Sequence, residues 1–153
     1  MKLSAKGRYA VIALADLASM KTDKPITLAE IADRQDISLS YLEQLFSKMR
    51  RNGVVHGIRG PGGGYSLVRS ADQTSIADIV LAVDENIKAT ACRPDTGLDC
   101  KGQTGKCLAH DLWSELGQHI YLFLNSITLA DVLERRVIGT AGGARFYDML
   151  GSK

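Results

Sequence analysis

Between Thr27 and Val68 the sequence changes its hydrophobic period twice with almost no connecting chain, and few folds accommodate that. Thr27-Leu28-Ala29-Glu30 is a capping box, in which a threonine hydroxyl and a glutamate carboxylate satisfy each other's backbone donors at a helix start. The helix it opens is short and runs to about Arg34, because Gln35-Asp36-Ile37-Ser38 reads as a turn ending in an N-cap serine. A second helix follows from about Leu39 to Arg51, with Leu42, Leu45, Phe46 and Met49 on one face, and Asn52-Gly53 ends it. The period then shortens. Val54–Ile58 and Tyr65–Val68 read as strands around the turn Arg59-Gly60-Pro61-Gly62-Gly63-Gly64. Two short helices joined by a tight turn, with a β-hairpin directly behind them, predict a helix-turn-helix at about 28–51 carrying a wing at about 54–68.

The flanks extend this unit. Residues 4–20 place Tyr9, Ile12, Ala13, Leu17 and Met20 at helical spacing, and Ser75 to Val83 predicts another serine-capped helix. Residues 88–106 are small, polar and glycine-rich. From Cys107 to about Asn125 a stripe of Leu108, Leu112, Leu116, Ile120 and Phe123 predicts a long helix, and Thr128 to Arg135 a short one; the tail from Ile138 carries no pattern. The stripe is more apolar surface than a small domain needs to attach one helix, so a homodimer is expected through it. The fold class is therefore mainly α with a small β-hairpin wing. A winged helix-turn-helix domain is expected over 1–84, a loop over 85–106, a dimerisation helix with a short C-terminal helix over 107–136, and a tail over 137–153.

A helix of this kind fits the major groove of B-DNA with the residues near its start against base edges. The candidates are Ser38, Ser40, Tyr41, Glu43 and Gln44. Gln44 can bond an adenine edge, and Glu43 can accept from a cytosine amino group. Lys48, Arg50 and Arg51 lie further along, where phosphates run, and Arg59 at the wing tip can enter a narrowed minor groove. Charge agrees. Residues 1–70 hold 11 Lys/Arg against 6 Asp/Glu, a net +5, while residues 71–153 hold 8 against 11, a net −3. A polyanion-binding half joined to an acidic half is the expected reading.

All three cysteines fall within sixteen residues, in the pattern Cys92-x7-Cys100-x6-Cys107-x2-His110. Cys107 and His110 stand three apart at a helix start, which would turn both to one side. Thiolates and imidazole suit an iron–sulfur cluster or zinc. Structural zinc sites usually contain a Cys-x2–4-Cys pair, which is missing, and the looser spacing fits a larger group. A cysteine redox switch without metal, and His110 as a plain helix-surface residue, are the other uses of these side chains. No cleavage site follows Met1-Lys2-Leu3-Ser4, and no apolar run reaches the roughly 18–20 residues that span a bilayer, so a cytoplasmic protein without membrane contact is expected. No dinucleotide-binding glycine fingerprint accompanies the cysteines, which argues against a redox enzyme.

The stretch Ile37-Ser38-Leu39-Ser40-Tyr41-Leu42-Glu43-Gln44-Leu45-Phe46, the wing Arg59–Tyr65, Val83-Asp84-Glu85, Lys106–Trp113 and the opening Leu3-x-x-Lys6-Gly7-Arg8-Tyr9-Ala10-Val11 closely resemble the IscR family of bacterial iron–sulfur cluster regulators. The match covers about residues 1–135. The resemblance implies a homodimeric winged-helix transcription regulator, not an enzyme, that binds double-stranded promoter DNA. It implies a [2Fe–2S] cluster held by Cys92, Cys100, Cys107 and His110 and supplied by cluster-assembly proteins. It further implies repression of cluster-assembly genes in the cluster-bound form, and binding to a second class of promoters without the cluster. The family's cysteines are more closely spaced than these. Related regulators sense nitric oxide or iron with a similar three-cysteine loop.

Overall fold

A computed structural model describes residues 4–20, 22–85, 87, 105 and 107–137. Ser4 caps the first helix, α1 (Ala5–Ser19), by accepting from the Lys6 N–H at 3.2 Å. The face α1 buries combines the small Gly7, Ala10 and Ala13 with Leu14, Leu17 and Asp16. The expected stripe is therefore rotated. Ala13 and Leu17 belong to the core, whereas Tyr9, Ile12 and Met20 lie outside it. Apolar residues surround most of α1, and close approach to its neighbours selects the face without bulk.

The capping box at Thr27 forms as expected, with Glu30 N–H to Thr27 Oγ1 at 3.3 Å and Thr27 N–H to Glu30 Oε2 at 2.8 Å, and starts α2 (Leu28–Gln35). Asp36 ends it in the left-handed region at φ 52°, and the Ile37 N–H returns to the Ala32 carbonyl at 3.2 Å. The chain then enters α3 (Leu39–Arg51), which buries Leu42, Leu45, Phe46 and Met49, the residues its periodicity selects.

The wing leaves α3 at once, the Val54 N–H bonding the Met49 carbonyl at 2.9 Å. Its strands β1 (Val55–Ile58) and β2 (Gly64–Leu67) are antiparallel, pairing Val55 with Leu67 and Ile58 with Gly64. Beside β2 the loop before α2 adds a third rung: Ile26 and Tyr65 exchange both backbone bonds, at 3.0 and 2.8 Å. Two glycines are required by this closeness. A Cβ on Gly63 would sit 2.3 Å from the Ile58 carbonyl oxygen, and one on Gly64 would sit 2.5 Å from that of Ile26. The Tyr65 ring stands edge-on to Phe46 of α3, centroids 5.0 Å apart, and ties the wing to the helix behind it.

After a single 3₁₀ turn at Ala71–Gln73, Ser75 caps α4 (Ile76–Ala82). The chain later forms α5 (His110–Ser126) and α6 (Leu129–Leu133). A capping box of Thr128 and Asp131 opens α6, and reciprocal bonds join Ile76 N–H to the Ile127 carbonyl and Leu129 N–H to that of Thr74, each 2.9 Å. Leu129 is thereby driven into the core formed by Leu14, Ile31, Leu42, Phe46, Met49, Ile79, Val80 and Val83. The Asp16 carboxylate is also buried. It accepts from Arg34 Nε at 3.1 Å and Nη2 at 2.7 Å and from Gln35 Nε2 at 2.8 Å, and so binds α1 to the end of α2. Burial pushes this carboxyl up, and the bonds from Arg34 and Gln35 with the guanidinium charge outweigh it, leaving it below its ordinary value. Among the described residues no helix is long and apolar enough to cross a membrane.

Candidate nucleic-acid interface and metal centre

The inward commitment of Leu42, Leu45, Phe46 and Met49 fixes what α3 shows to solvent. Ser38, Ser40, Glu43 and Gln44 are exposed on its first two turns, and Arg50 and Arg51 on its last. Ser38 is the N-cap by its backbone, its carbonyl accepting from Tyr41 and Leu42 at 3.1 Å, but its hydroxyl makes no cap bond. No acid sits in the first turn either, so the positive end of the helix dipole is free to meet a phosphate. Among the described residues Glu43, Gln44, Arg50 and Arg59 have no intramolecular hydrogen-bond or ion-pair partner, as groups reserved for another molecule would not.

Two of the expected contacts are placed differently from the rest. Tyr41 is half-buried and stacks edge-on against Tyr9, centroids 5.9 Å apart, so its ring also buttresses α3 against α1. Lys48 is ion-paired with Asp84 at 2.7 Å rather than free. No local pattern announces that pair, whose members stand 36 residues apart. Arg59 is exposed at the wing tip, beside Ile58.

The other candidate centre lies where α5 begins. That helix starts at His110, not at Cys107 as the spacing suggested. Cys107 stands in the turn before it, and the His110 N–H bonds the Cys107 carbonyl at 3.0 Å, so the two residues are still held in one turn. Cys107 is half-buried with a free thiol. Among the described residues His110 Nδ1 is buried without a hydrogen-bond partner. A buried imidazole nitrogen of this kind can donate a lone pair to a metal. Cys92 and Cys100 lie outside the described residues, as does the tail from Ile138.

No residue of α5 is buried. Leu116, Ile120 and Leu124 are half-buried, while Leu112, Trp113, Tyr121, Leu122 and Phe123 are exposed. The expected stripe therefore splits. Leu112 and Phe123, 63% and 43% exposed, face solvent, and Leu108 precedes the helix altogether.

Comparison with known proteins agrees with this geometry. The family described as "Rrf2: Iron-dependent Transcriptional regulator" matches residues 3–135. The chain is 49% identical to the HTH-type transcriptional regulator IscR of Yersinia pseudotuberculosis over 138 residues, which is 90% of this chain and 82% of that protein. The IscR of Erwinia tasmaniensis is similar to the same degree. Among solved structures, T. potens IscR superposes with a TM-score of 0.69 at 32% identity, covering 97% of this chain and 96% of that one. CymR, the global cysteine regulator of B. subtilis, superposes with 0.68 at 29% identity, covering 88% and 98%.

Proposed function

The chain belongs to the Rrf2 family of iron-dependent transcriptional regulators, and from that premise we propose that it is a cluster-sensing regulator acting on promoter DNA as a homodimer. Ser38, Ser40, Tyr41, Glu43 and Gln44 would meet base edges in the major groove, with Arg51 on phosphates and Arg59 in the adjacent minor groove. Lys48 joins the phosphate contacts when it leaves Asp84. The exposed apolar face of α5 would meet its counterpart on a second copy. Cys92, Cys100, Cys107 and His110 would hold a [2Fe–2S] cluster delivered by the cluster-assembly proteins. Such a cluster supplies redox-sensitive and labile iron, which makes its occupancy a measure of cluster supply. The loaded protein represses cluster-assembly genes, and the unloaded protein binds a second class of sites.

The observation that carries this reading is His110 Nδ1, buried without a partner among the described residues, on the turn that also holds Cys107. His110's own contribution is an imidazole nitrogen fixed at the first residue of α5. The experiment is iron, sulfide and zinc analysis of protein purified without oxygen, alongside titration of promoter DNA. The wild type should carry about two irons and two sulfides per chain, and His110→Ala should lower that content while the fold, read by circular dichroism, is kept. Stoichiometric zinc with no sulfide would overturn the cluster. Unchanged iron in His110→Ala would remove His110 from the ligand set.

A further inference from the structure

The C-terminal half of α3 is fastened to the end of α4. Lys48 Nζ lies 2.7 Å from Asp84 Oδ2, and Asn52 Nδ2 donates to the Ala82 carbonyl at 3.0 Å. One residue on, Glu85 accepts from the Ser4 backbone N–H at 3.1 Å and from the Ser4 hydroxyl, which ties the same junction to the start of α1. Asp84 stands at φ 57°, with its N–H on the Leu81 carbonyl at 3.1 Å and the Glu85 N–H on that of Val80 at 3.3 Å. This is the helix-ending position that glycine usually takes. Here the position carries a carboxylate, and the carboxylate faces the recognition helix.

Lys48 follows Ser40 and Gln44 at four-residue steps, so it shares their face of α3. A lysine on that row is placed to neutralise a phosphate, yet its charge already has a partner. The pair is weak and exchangeable, since the Lys48 and Asp84 side chains are 32% and 68% exposed. Lys48, by hydrogen bond and charge, and Lys6 and Arg51, by charge, hold the Asp84 carboxyl below the usual carboxylate range, so it stays ionised wherever DNA binding is measured. In sequence Asp84 stands eight residues before Cys92, at the joint between the DNA-reading helix and the candidate ligand segment.

We propose that Asp84 is a positioning residue that competes with DNA phosphate for Lys48, setting binding strength from a place that does not touch DNA. The proposal rests on the DNA-binding reading above and adds to it an internal acid that mimics the ligand. Displacing Asp84 is part of the cost of binding, and a change at the junction that moved Asp84 away would release one cation per protomer.

Asp84→Asn removes the charge at constant shape in a residue type that tolerates this backbone. Asp84→Gly removes the side chain and suits the backbone better. The assay is fluorescence anisotropy of the full chain on a random-sequence DNA duplex across a salt series. Both variants should bind several-fold more tightly near 0.1 M salt, with the slope of log K against log salt steeper by at most about 0.9 for each lysine that wild type leaves on Asp84 in the complex. The gain should vanish when Lys48→Gln is added, measured against Lys48→Gln alone. An unchanged affinity in Asp84→Asn across the salt series would overturn the proposal. So would a gain that survives Lys48→Gln, which would mark a general charge effect, or loss of the fold in both variants, which would make Asp84 a structural cap. A wild type that fails to bind the duplex at any salt would remove the DNA-binding reading itself, and this proposal with it.

Discussion

Replacing Arg34 with Met should destabilise the protein by about 2–3 kcal/mol at pH 7, and the loss should shrink as the pH falls. The Asp16 side chain is 5% exposed and keeps only the Gln35 donor once the guanidinium is gone. Removing one partner of a fully buried pair costs roughly 3–5 kcal/mol. Arg34 is itself 32% exposed, so water can enter where it stood and the lower end of that range applies. A ceiling comes from protonation. With an unfolded carboxyl near 3.9 and about 1.36 kcal/mol per pH unit, neutralising Asp16 costs about 4 kcal/mol at pH 7 and about 1.5 kcal/mol at pH 5. In the wild type the folded carboxyl is lowered, so its contribution is present above the unfolded pKa and lost as pH falls through the folded one. In Arg34→Met burial acts without the guanidinium and the shift reverses, so the variant recovers relative to wild type on acidification. Urea unfolding followed by circular dichroism at pH 7 and pH 5 measures both quantities. The double change Asp16→Leu, Arg34→Met should restore most of the stability, because an apolar pair needs no counter-charge. A gap below about 0.5 kcal/mol at pH 7, or one that is the same at pH 5, would refute the account of Asp16 as a desolvated anion held by Arg34.

Gly64→Ala should cost about 1–3 kcal/mol, since its Cβ meets the Ile26 carbonyl oxygen at 2.5 Å and must part the Ile26–Tyr65 rung; a urea midpoint equal to wild type would show that the rung yields freely. Leu112→Glu with Phe123→Glu places two charges on one face of α5, three turns apart, and should give monomers in sedimentation with about 10²-fold weaker binding to a two-half-site promoter. A dimer that persisted would move the interface elsewhere. Glu43 is exposed with no partner among the described residues, and a carboxylate near phosphates is unfavourable unless it accepts from a base. Adding Glu43→Ala to Cys92→Ala should therefore admit cluster-free protein to cluster-dependent promoters, and equal exclusion of both proteins would leave Glu43 an ordinary surface acid.

What could be read from the sequence is what local chemistry decides. Thr27 and Glu30 find each other because three helical residues bring them together in any fold, and the face of α3 follows from a period that its own apolar residues set. The wing is legible because four glycines in six residues admit few alternatives to a tight turn. The face of α1 was misread for the converse reason. Its apolar residues nearly surround it, and only packing against other helices selects Ala10, Ala13 and Leu14 over Tyr9 and Ile12. The candidate metal centre rests on a set of ligand types in the sequence, whereas the start of α5 at His110 depends on a turn that spacing does not reveal.

The long-range polar pairs left no trace in the pattern, and they share a placement. Asp16 with Arg34 fixes α1 to α2, Asp84 with Lys48 fixes α4 to α3, and Glu85 with Ser4 fixes the end of α4 to the start of α1. Each joins two elements whose apolar faces alone would tolerate sliding, since hydrophobic contact is non-directional and hydrogen-bond geometry is not. If α3 is to read DNA as proposed, it must present Ser40, Gln44 and Lys48 to the duplex at one angle. An apolar core around Phe46 sets its depth and leaves its rotation and tilt less firmly held. Directional pairs at the turn of the helix-turn-helix, through Arg34, and near its far end, through Lys48, supply that constraint. Two of the three gather where the chain leaves α4 toward the cysteines, so the orientation of the DNA-reading helix is held at the same joint from which the candidate ligand segment departs.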